Sequence, residues 1–202
     1  ETPVEIDTLD CRLEYPLFAK LDCIELSHKT EAGAVLGPLR DRDSLEDALH
    51  RLDEIARASS QPSQIVLQQS VKGVELLIGV SPVEPWGRAL VLGLGGTMTE
   101  IHDDVIALPL DATEEEIRSG FARLRSAPLF ENFRGASPVY LDTAVNAALK
   151  IARLASASAI IYEIEANPFV APRDVRDPHG AVDVRITLRD EHEARLENEA
   201  EE

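Results

Sequence analysis

The sequence predicts an α+β (α/β) fold in two layers, and three observations carry this. Apolar runs of strand length, rich in Val, Leu and Ile, recur along the chain. Three amphipathic segments with apolar residues at helical spacing lie between them. No internal repeat is visible, which argues for mixed strands and helices around a core. With 202 residues, 44% of them hydrophobic, the chain can bury a core for one domain or two small joined lobes.

In chain order, strand-like runs fall at 15–21, 34–39, 65–69, 74–80 and 88–92, with later ones at 159–165 and 181–188. Ser44 followed by Asp47 opens the first helix, with Leu45, Ala48, Leu49, Leu52 and Ile55 on one face. Thr113 with Glu116 forms a capping box for the second, which carries Ile117, Phe121 and Leu124 and runs to about Arg125. Ser137-Pro138 places a capping residue before a proline at the first position of a third helix, with Leu141, Val145, Ala148, Leu149 and Ala152 on one side. Ser, Pro, Asp and Gly mark loops at 58–64 and 171–180.

Composition narrows the function classes. A net charge of -17 opposes nonspecific binding to a phosphate backbone, so no nucleic-acid partner is expected. No apolar run approaches the roughly 20 residues of a membrane span, and the polar start Glu1-Thr2-Pro3 is unlike a signal peptide, so a soluble cytoplasmic protein with no membrane partner is expected. Cys11 and Cys23 show no Cys-x-x-Cys spacing, as in a reducing compartment. Glu1 is not an initiator Met, which suggests a fragment of a longer chain. Anionic ligands would need local cations. Against 16 Arg there are only 4 Lys, which draws attention to Lys20 and Lys29. The acidic run 189–202 reads as a solvated, frayed tail.

Three segments carry candidate chemistry. In Glu163-Ile164-Glu165-Ala166-Asn167-Pro168, strand alternation puts Glu163, Glu165 and Asn167 on one side. Fifteen residues past Pro168 lies Asp183, in a run Val182-Asp183-Val184-Arg185-Ile186 that is expected to bury its valines and isoleucine and present Asp183 on its polar face. A neighbouring strand would bring Asp183 to Asn167, and converging carboxylate and amide oxygens suit magnesium. An ordinary solvent-facing strand surface has the same pattern. The second segment, 89–97, is an apolar strand running into Gly93, Gly95 and Gly96, a turn that exposes N–H groups to an anion. It matches neither a Rossmann nor a Walker fingerprint, and a plain tight turn is the competing reading. The third is Ser27-His28-Lys29-Thr30 with Gly33, a nucleophile candidate beside a cation, equally readable as a surface pair. None of the other four histidines has a partner at zinc-ligand spacing.

Taken in order, these segments resemble the ATP-grasp domain of the NDP-forming (ADP-forming) acyl-CoA synthetases, relatives of the succinyl-CoA synthetase β subunit. The resemblance covers roughly 15–188. It rests on Tyr15-Pro16-Leu17-Phe18-Ala19-Lys20, His28-Lys29-Thr30-Glu31-Ala32-Gly33-Ala34-Val35, Gly73-Val74-Glu75-Leu76-Leu77-Ile78-Gly79-Val80, the stretch 93–100, Phe133-Arg134-Gly135, and 163–168 followed by Asp183. It implies an ATP-grasp fold of two lobes, 1–72 and 73–188, the first incomplete because too little chain precedes Tyr15 for the usual helix.

The resemblance also implies roles. Lys20 would reach the nucleotide phosphates with Lys29 and the amides of Gly95 and Gly96. Gln69 and Val71, within 68–71, would line the adenine pocket, and Glu75 would lie near the ribose. Asn167 and Asp183 would hold Mg2+, Glu165 would steady a phosphorylated histidine from the partner, and His28 would carry the phosphoryl group. The cofactors would be Mg2+ and ATP/ADP, and the partner would be CoA-binding and CoA-ligase domains (the α part) in the same or another chain. The reaction would be that of an acid-CoA ligase (ADP-forming): acyl-CoA, ADP and phosphate going reversibly to acid, CoA and ATP. A degenerate module that only binds nucleotide or holds an assembly, and a carboxylate-amine ligase with no use for His28, are the alternatives. Departures from the pattern include Ala34 in place of a second glycine and Glu84-Pro85-Trp86-Gly87 in place of Asp-Pro-x-Phe-Gly.

Overall fold

The computed structural model describes residues 13–23, 33–58, 63–85, 87–96 and 103–189. The chain divides into two compact units, Glu1–Ser70 and Val71–Glu202.

The first unit is a helix on a three-stranded antiparallel sheet. Strands β1 (Leu17–Cys23), β2 (Val35–Leu39) and β3 (Ser63–Gln69) take the order β2-β1-β3, and helix α1 (Arg42–Ala58) joins β2 to β3. Leu17, Ala19 and Leu21 alternate onto the helix side of β1 and pack with Leu45, Ala48, Leu49 and Leu52 of α1. The Ala34 methyl is fully buried in this cluster, so the alanine that departs from the family pattern contributes core packing. The helix begins two residues earlier than Ser44. Asp41 caps it, its Oδ1 accepting from the Ser44 N–H at 2.9 Å, while Ser44 Oγ accepts from the Asp41 N–H at 3.2 Å. Ser44 therefore takes the reciprocal position of a capping box, and the side chain that accepts the orphan amide belongs to Asp41.

The second unit is an antiparallel sheet backed on one face by two helices. Strands β4 (Val74–Val83), β5 (Gly87–Leu94), β6 (Val105–Leu108), β7 (Ile161–Ala171) and β8 (Gly180–Ala181) take the order β6-β5-β4-β7-β8, and β9 (Val184–Leu188) also pairs with β7. Helices α2 (Glu114–Arg123) and α3 (Leu141–Ser156) cover one face. Leu76, Ile78 and Val80 of β4 and Leu90 and Leu92 of β5 are fully buried against Ile117 and Phe121 of α2 and the alanines 144, 148, 152 and 155 of α3. An alanine face lets α3 lie close to the strands, at the near-crystalline density of protein interiors.

Polar contacts fix the helix ends. Thr113 and Glu116 form the capping box that the sequence predicts, with the Thr113 N–H donating to Glu116 Oε2 at 2.7 Å. The α3 start differs from expectation: the helix opens at Leu141, not after Ser137. Residues 139 and 140 are drawn out of the helix because their N–H groups donate to the Phe130 and Pro172 carbonyls, both at 2.8 Å. At the other end of α3, the Arg88 guanidinium donates to the carbonyls of Ala155, Ser158 and Ile161 at 3.0, 3.3 and 2.7 Å. A cation at the helix C-terminus satisfies its last acceptors and opposes its dipole. Among the described residues, no helix is long and apolar enough to cross a membrane.

Candidate functional site

The site forms on the face of the second sheet turned away from α2 and α3. In β7, Ile164 and Ala166 are buried in the core, and alternation turns Glu163, Glu165 and Asn167 to the other face, as the sequence predicts. Two irregularities keep this group together. A register shift between Ile161 and Glu163 against β9 lets Ile161 return to the core. A second shift places Asn167 and Pro168 across from Leu77 alone, because Leu76 pairs with Phe169 and Ile78 with Ala166. Such a bulge resets the alternation, so Phe169 goes back inside while Asn167 stays out.

A connected row of polar groups results. Asn167 Oδ1 accepts from the Gly96 N–H at 2.9 Å, and Asn167 Nδ2 donates to Glu165 Oε1 at 3.0 Å. Arg185 Nη2 reaches Glu165 Oε2 at 3.5 Å and Glu163 Oε2 at 3.4 Å. Ser81 Oγ of β4 donates to Glu163 Oε1 at 2.9 Å. The backbone N–H of Asn167 donates to the Asp183 carbonyl at 3.0 Å, so Asp183, in the bend between β8 and β9, lies next to the backbone of Asn167. Glu165 pairs directly with Arg185, two residues past Asp183.

The glycine turn closes one edge. The Gly95 N–H donates to the Glu75 carbonyl at 2.9 Å, and a Cβ at Gly95 would lie 2.4 Å from the Leu76 carbonyl, so only glycine lets the end of β5 pass this close to β4. Gly96 has φ +75, and the Glu75 carboxylate lies over it: a Cβ there would meet Glu75 Oε2 at 1.7 Å. Just before β6 lies Asp104, 8% exposed, whose carboxylate accepts from the N–H groups of Arg125 and Ser126 at 2.8 and 2.7 Å. Burial would raise its pKa, but donors from Ser126 and Arg125 and the Arg125 charge outweigh it and hold Asp104 below the ordinary carboxylate value.

The structure thus brings Glu75, Gly95, Gly96, Glu165, Asn167 and Asp183 to one region of the second unit. Val71 lies just before β4. In the first unit, Lys20 sits between the buried Ala19 and Leu21 and points to the sheet face away from α1. Gln69 pairs with Leu17, which places it on the α1 side, whereas Gln68, paired with Phe18, shares the face of Lys20. His28 and Lys29 lie outside the described residues.

One expectation is overturned: β9 does not bury its apolar residues. Val184, Ile186 and Leu188 are 51%, 49% and 62% exposed, because the strand is paired on one side only and extends past the helices that cover the sheet centre. Site residues not singled out from sequence are Ser81 and Arg185. The spacing Asp183-x-Arg185 put both on one strand face and was the available signal. Among the described residues, no group of three His, Cys, Asp or Glu could cage a metal, so any ion here would draw on an amide oxygen, water or a ligand.

Comparison with known proteins gives the family. The profile described as ATP-grasp domain matches residues 1–188. The β subunit of acetate–CoA ligase [ADP-forming] II from Pyrococcus furiosus is 28% identical over 182 residues, covering 87% of this chain and 76% of the relative. A trans-feruloyl-CoA synthase from an unknown prokaryotic organism is 26% identical over 160 residues, 77% of this chain but only 23% of that protein's length. The structure of the dinucleotide forming acetyl-coenzyme A synthetase 1 of Ca. Korarchaeum cryptofilum, with coenzyme A and Mg-AMPPCP and its phosphohistidine segment pointing towards the nucleotide binding site, superposes with a TM-score of 0.72 at 26% identity, covering 87% of this chain and 78% of that one. The two units with their antiparallel sheets are an ATP-grasp fold, and the chain belongs to the ATP-grasp domain family.

Proposed function

We propose that this chain is the nucleotide-binding part of an NDP-forming acyl-CoA synthetase, moving a phosphoryl group between ATP/ADP and a phosphohistidine. The observation that carries the reading is the Gly96–Asn167–Glu165 row beside Asp183, built on the second sheet at the glycine turn. Relatives named as ADP-forming acetate–CoA ligase β subunit and as acyl-CoA synthase support it, as does the nucleotide analogue bound by the Korarchaeum enzyme.

The donor set fits magnesium. Asn167 turns its amide nitrogen to Glu165, which leaves its oxygen on the Gly96 side, and Asp183 is exposed next to it. Two hard oxygen ligands, with waters and phosphates, suit an octahedral ion. Asn167 and Asp183 would hold magnesium, which when bound neutralises phosphate charge and fixes its orientation. The chain's own groups do the rest. Lys20 binds phosphate oxygens, since the N–H groups of Gly95 and Gly96 are taken by the Glu75 carbonyl and Asn167 Oδ1 and do not face an anion as the sequence suggested. His28 takes the γ-phosphoryl group: its ring nitrogen forms a bond to phosphorus as the bond to the ADP oxygen breaks. Glu165, beside Arg185, accepts a hydrogen bond from the partner's histidine ring. In the reverse direction, acyl phosphate formed at the CoA-ligase partner supplies the phosphoryl group that ends on ADP. Positioning and charge neutralisation supply the catalysis, and no general base is needed.

The test uses the chain assembled with its CoA-binding and ligase part. Incubation with γ-labelled ATP and magnesium should leave acid-labile, base-stable label on the peptide containing His28, and His28→Ala should abolish it. Label on another residue of this chain, unchanged in the variant, would remove His28 from the reaction.

A further inference from the structure

We propose that Arg185 is a positioning residue for the metal end of the site: it holds Glu165, and Glu165 holds the Asn167 amide with its oxygen facing the ion. This rests on the magnesium role given above to Asn167.

A primary amide is nearly the same shape after a half-turn about its last bond, yet only the oxygen can ligate a cation. Something must therefore choose the orientation. Two contacts do. The Gly96 N–H demands an acceptor and receives Asn167 Oδ1 at 2.9 Å, while Glu165 Oε1 demands a donor and receives Nδ2 at 3.0 Å. The second contact selects only if Glu165 is aimed along the strand with Oε1 toward the amide. Glu163 works against this, since like charges two residues apart on one strand face repel. Arg185 resolves the conflict, because its Nη2 sits between Glu163 Oε2 at 3.4 Å and Glu165 Oε2 at 3.5 Å. Ser81 Oγ ties the far oxygen of Glu163 to β4 at 2.9 Å, so the row is anchored at one end by a β4 side chain and at the other by the Gly96 backbone N–H. The register gives Arg185 this place, since it pairs directly with Glu165. Without the guanidinium, Glu165 turns away from Glu163, the amide loses its selecting partner, and a share of molecules presents NH2 to the ion.

The experiment titrates the full chain with Mn2+ at saturating ADP, following free manganese by electron paramagnetic resonance. Supporting groups behind a metal ligand typically matter by 10- to 100-fold, so Arg185→Met should weaken Mn2+ by about tenfold while ADP binding without metal holds within about twofold. Arg185→Lys, which keeps a cation between the carboxylates, should recover most of the loss. Glu165→Gln, which leaves β9 untouched, should reproduce the Arg185→Met defect even if the latter fails to fold. Wild-type Mn2+ affinity in folded Arg185→Met or Glu165→Gln overturns the proposal. So does an equal fall in metal-free ADP affinity, which would make Arg185 a direct phosphate ligand. A loss in Asn167→Ala without one in Arg185→Met strikes this inference alone. Absence of Mn2+ and ADP binding in the wild type strikes the functional reading beneath it.

Discussion

Gly96→Ala, compared with Gly87→Ala, separates what the glycine turn does for the backbone from what it does for the ligand. Both glycines have left-handed backbone, with φ +75 and +77. Alanine in that region costs roughly 1–2 kcal/mol, so each variant should lose about 2–8 °C in Tm. Their surroundings differ. A Cβ at Gly87 meets nothing within 4 Å, whereas at Gly96 it lands 1.7 Å from Glu75 Oε2. Glu75 is exposed and swings aside, but Gly96 shifts with it and its 2.9 Å hydrogen bond to Asn167 Oδ1 is lost. A neutral hydrogen bond contributes about 1 kcal/mol net, so Gly96→Ala should bind Mg-ADP about fivefold more weakly. Gly87→Ala should bind like wild type. Calorimetric titration with ADP in excess Mg2+, beside thermal melts, reads both quantities. Undiminished affinity in Gly96→Ala, or an equal loss in Gly87→Ala, would refute the reasoning.

Two stability predictions follow from the second unit. Phe121 is fully buried and meets Phe130 edge-to-face at 6.1 Å, so Phe121→Ala should cost about 3–5 kcal/mol, read by chemical denaturation. Asp104→Asn replaces an acceptor of two N–H bonds by a group with one oxygen, and should cost about 1–3 kcal/mol at neutral pH. The pH dependence has a definite sign. The folded pKa of Asp104 lies below its ordinary value of 3.8, so its stabilisation is complete above that value and is lost as pH falls through the lowered one. Asp41 and Glu116 shift the same way through their bonds to Ser44 and Thr113, and Asp174 is held at about 2 by Arg176. Melting temperature should fall as pH drops below 4, less steeply in Asp104→Asn.

The parts of the structure legible in the sequence were those set by local periodicity. The Thr113 capping box, the apolar faces of α1 and α3, and the common side of Glu163, Glu165 and Asn167 needed only spacing and propensity. What the sequence hid was decided by distant partners. The start of α3 depends on carbonyls of Phe130 and Pro172, and the four-residue strand β6 exists because β5 offers it an edge. Val184, Ile186 and Leu188 alternate as if half-buried, yet nothing in the sequence tells that their strand lies beyond the helices. In the site, alternation gave the face, but the bulge at Asn167–Pro168 and the pairing of Arg185 with Glu165 come from register, which one strand alone does not encode.

That Asn167 and Asp183 hold magnesium against bound nucleotide is tested most directly by the magnesium dependence of ADP affinity in Asn167→Ala and Asp183→Ala. Wild type should bind ADP more tightly as Mg2+ is added, and each folded variant should lose most of that gain while keeping its metal-free affinity. Variants that tighten on ADP with Mg2+ as strongly as wild type would contradict the site.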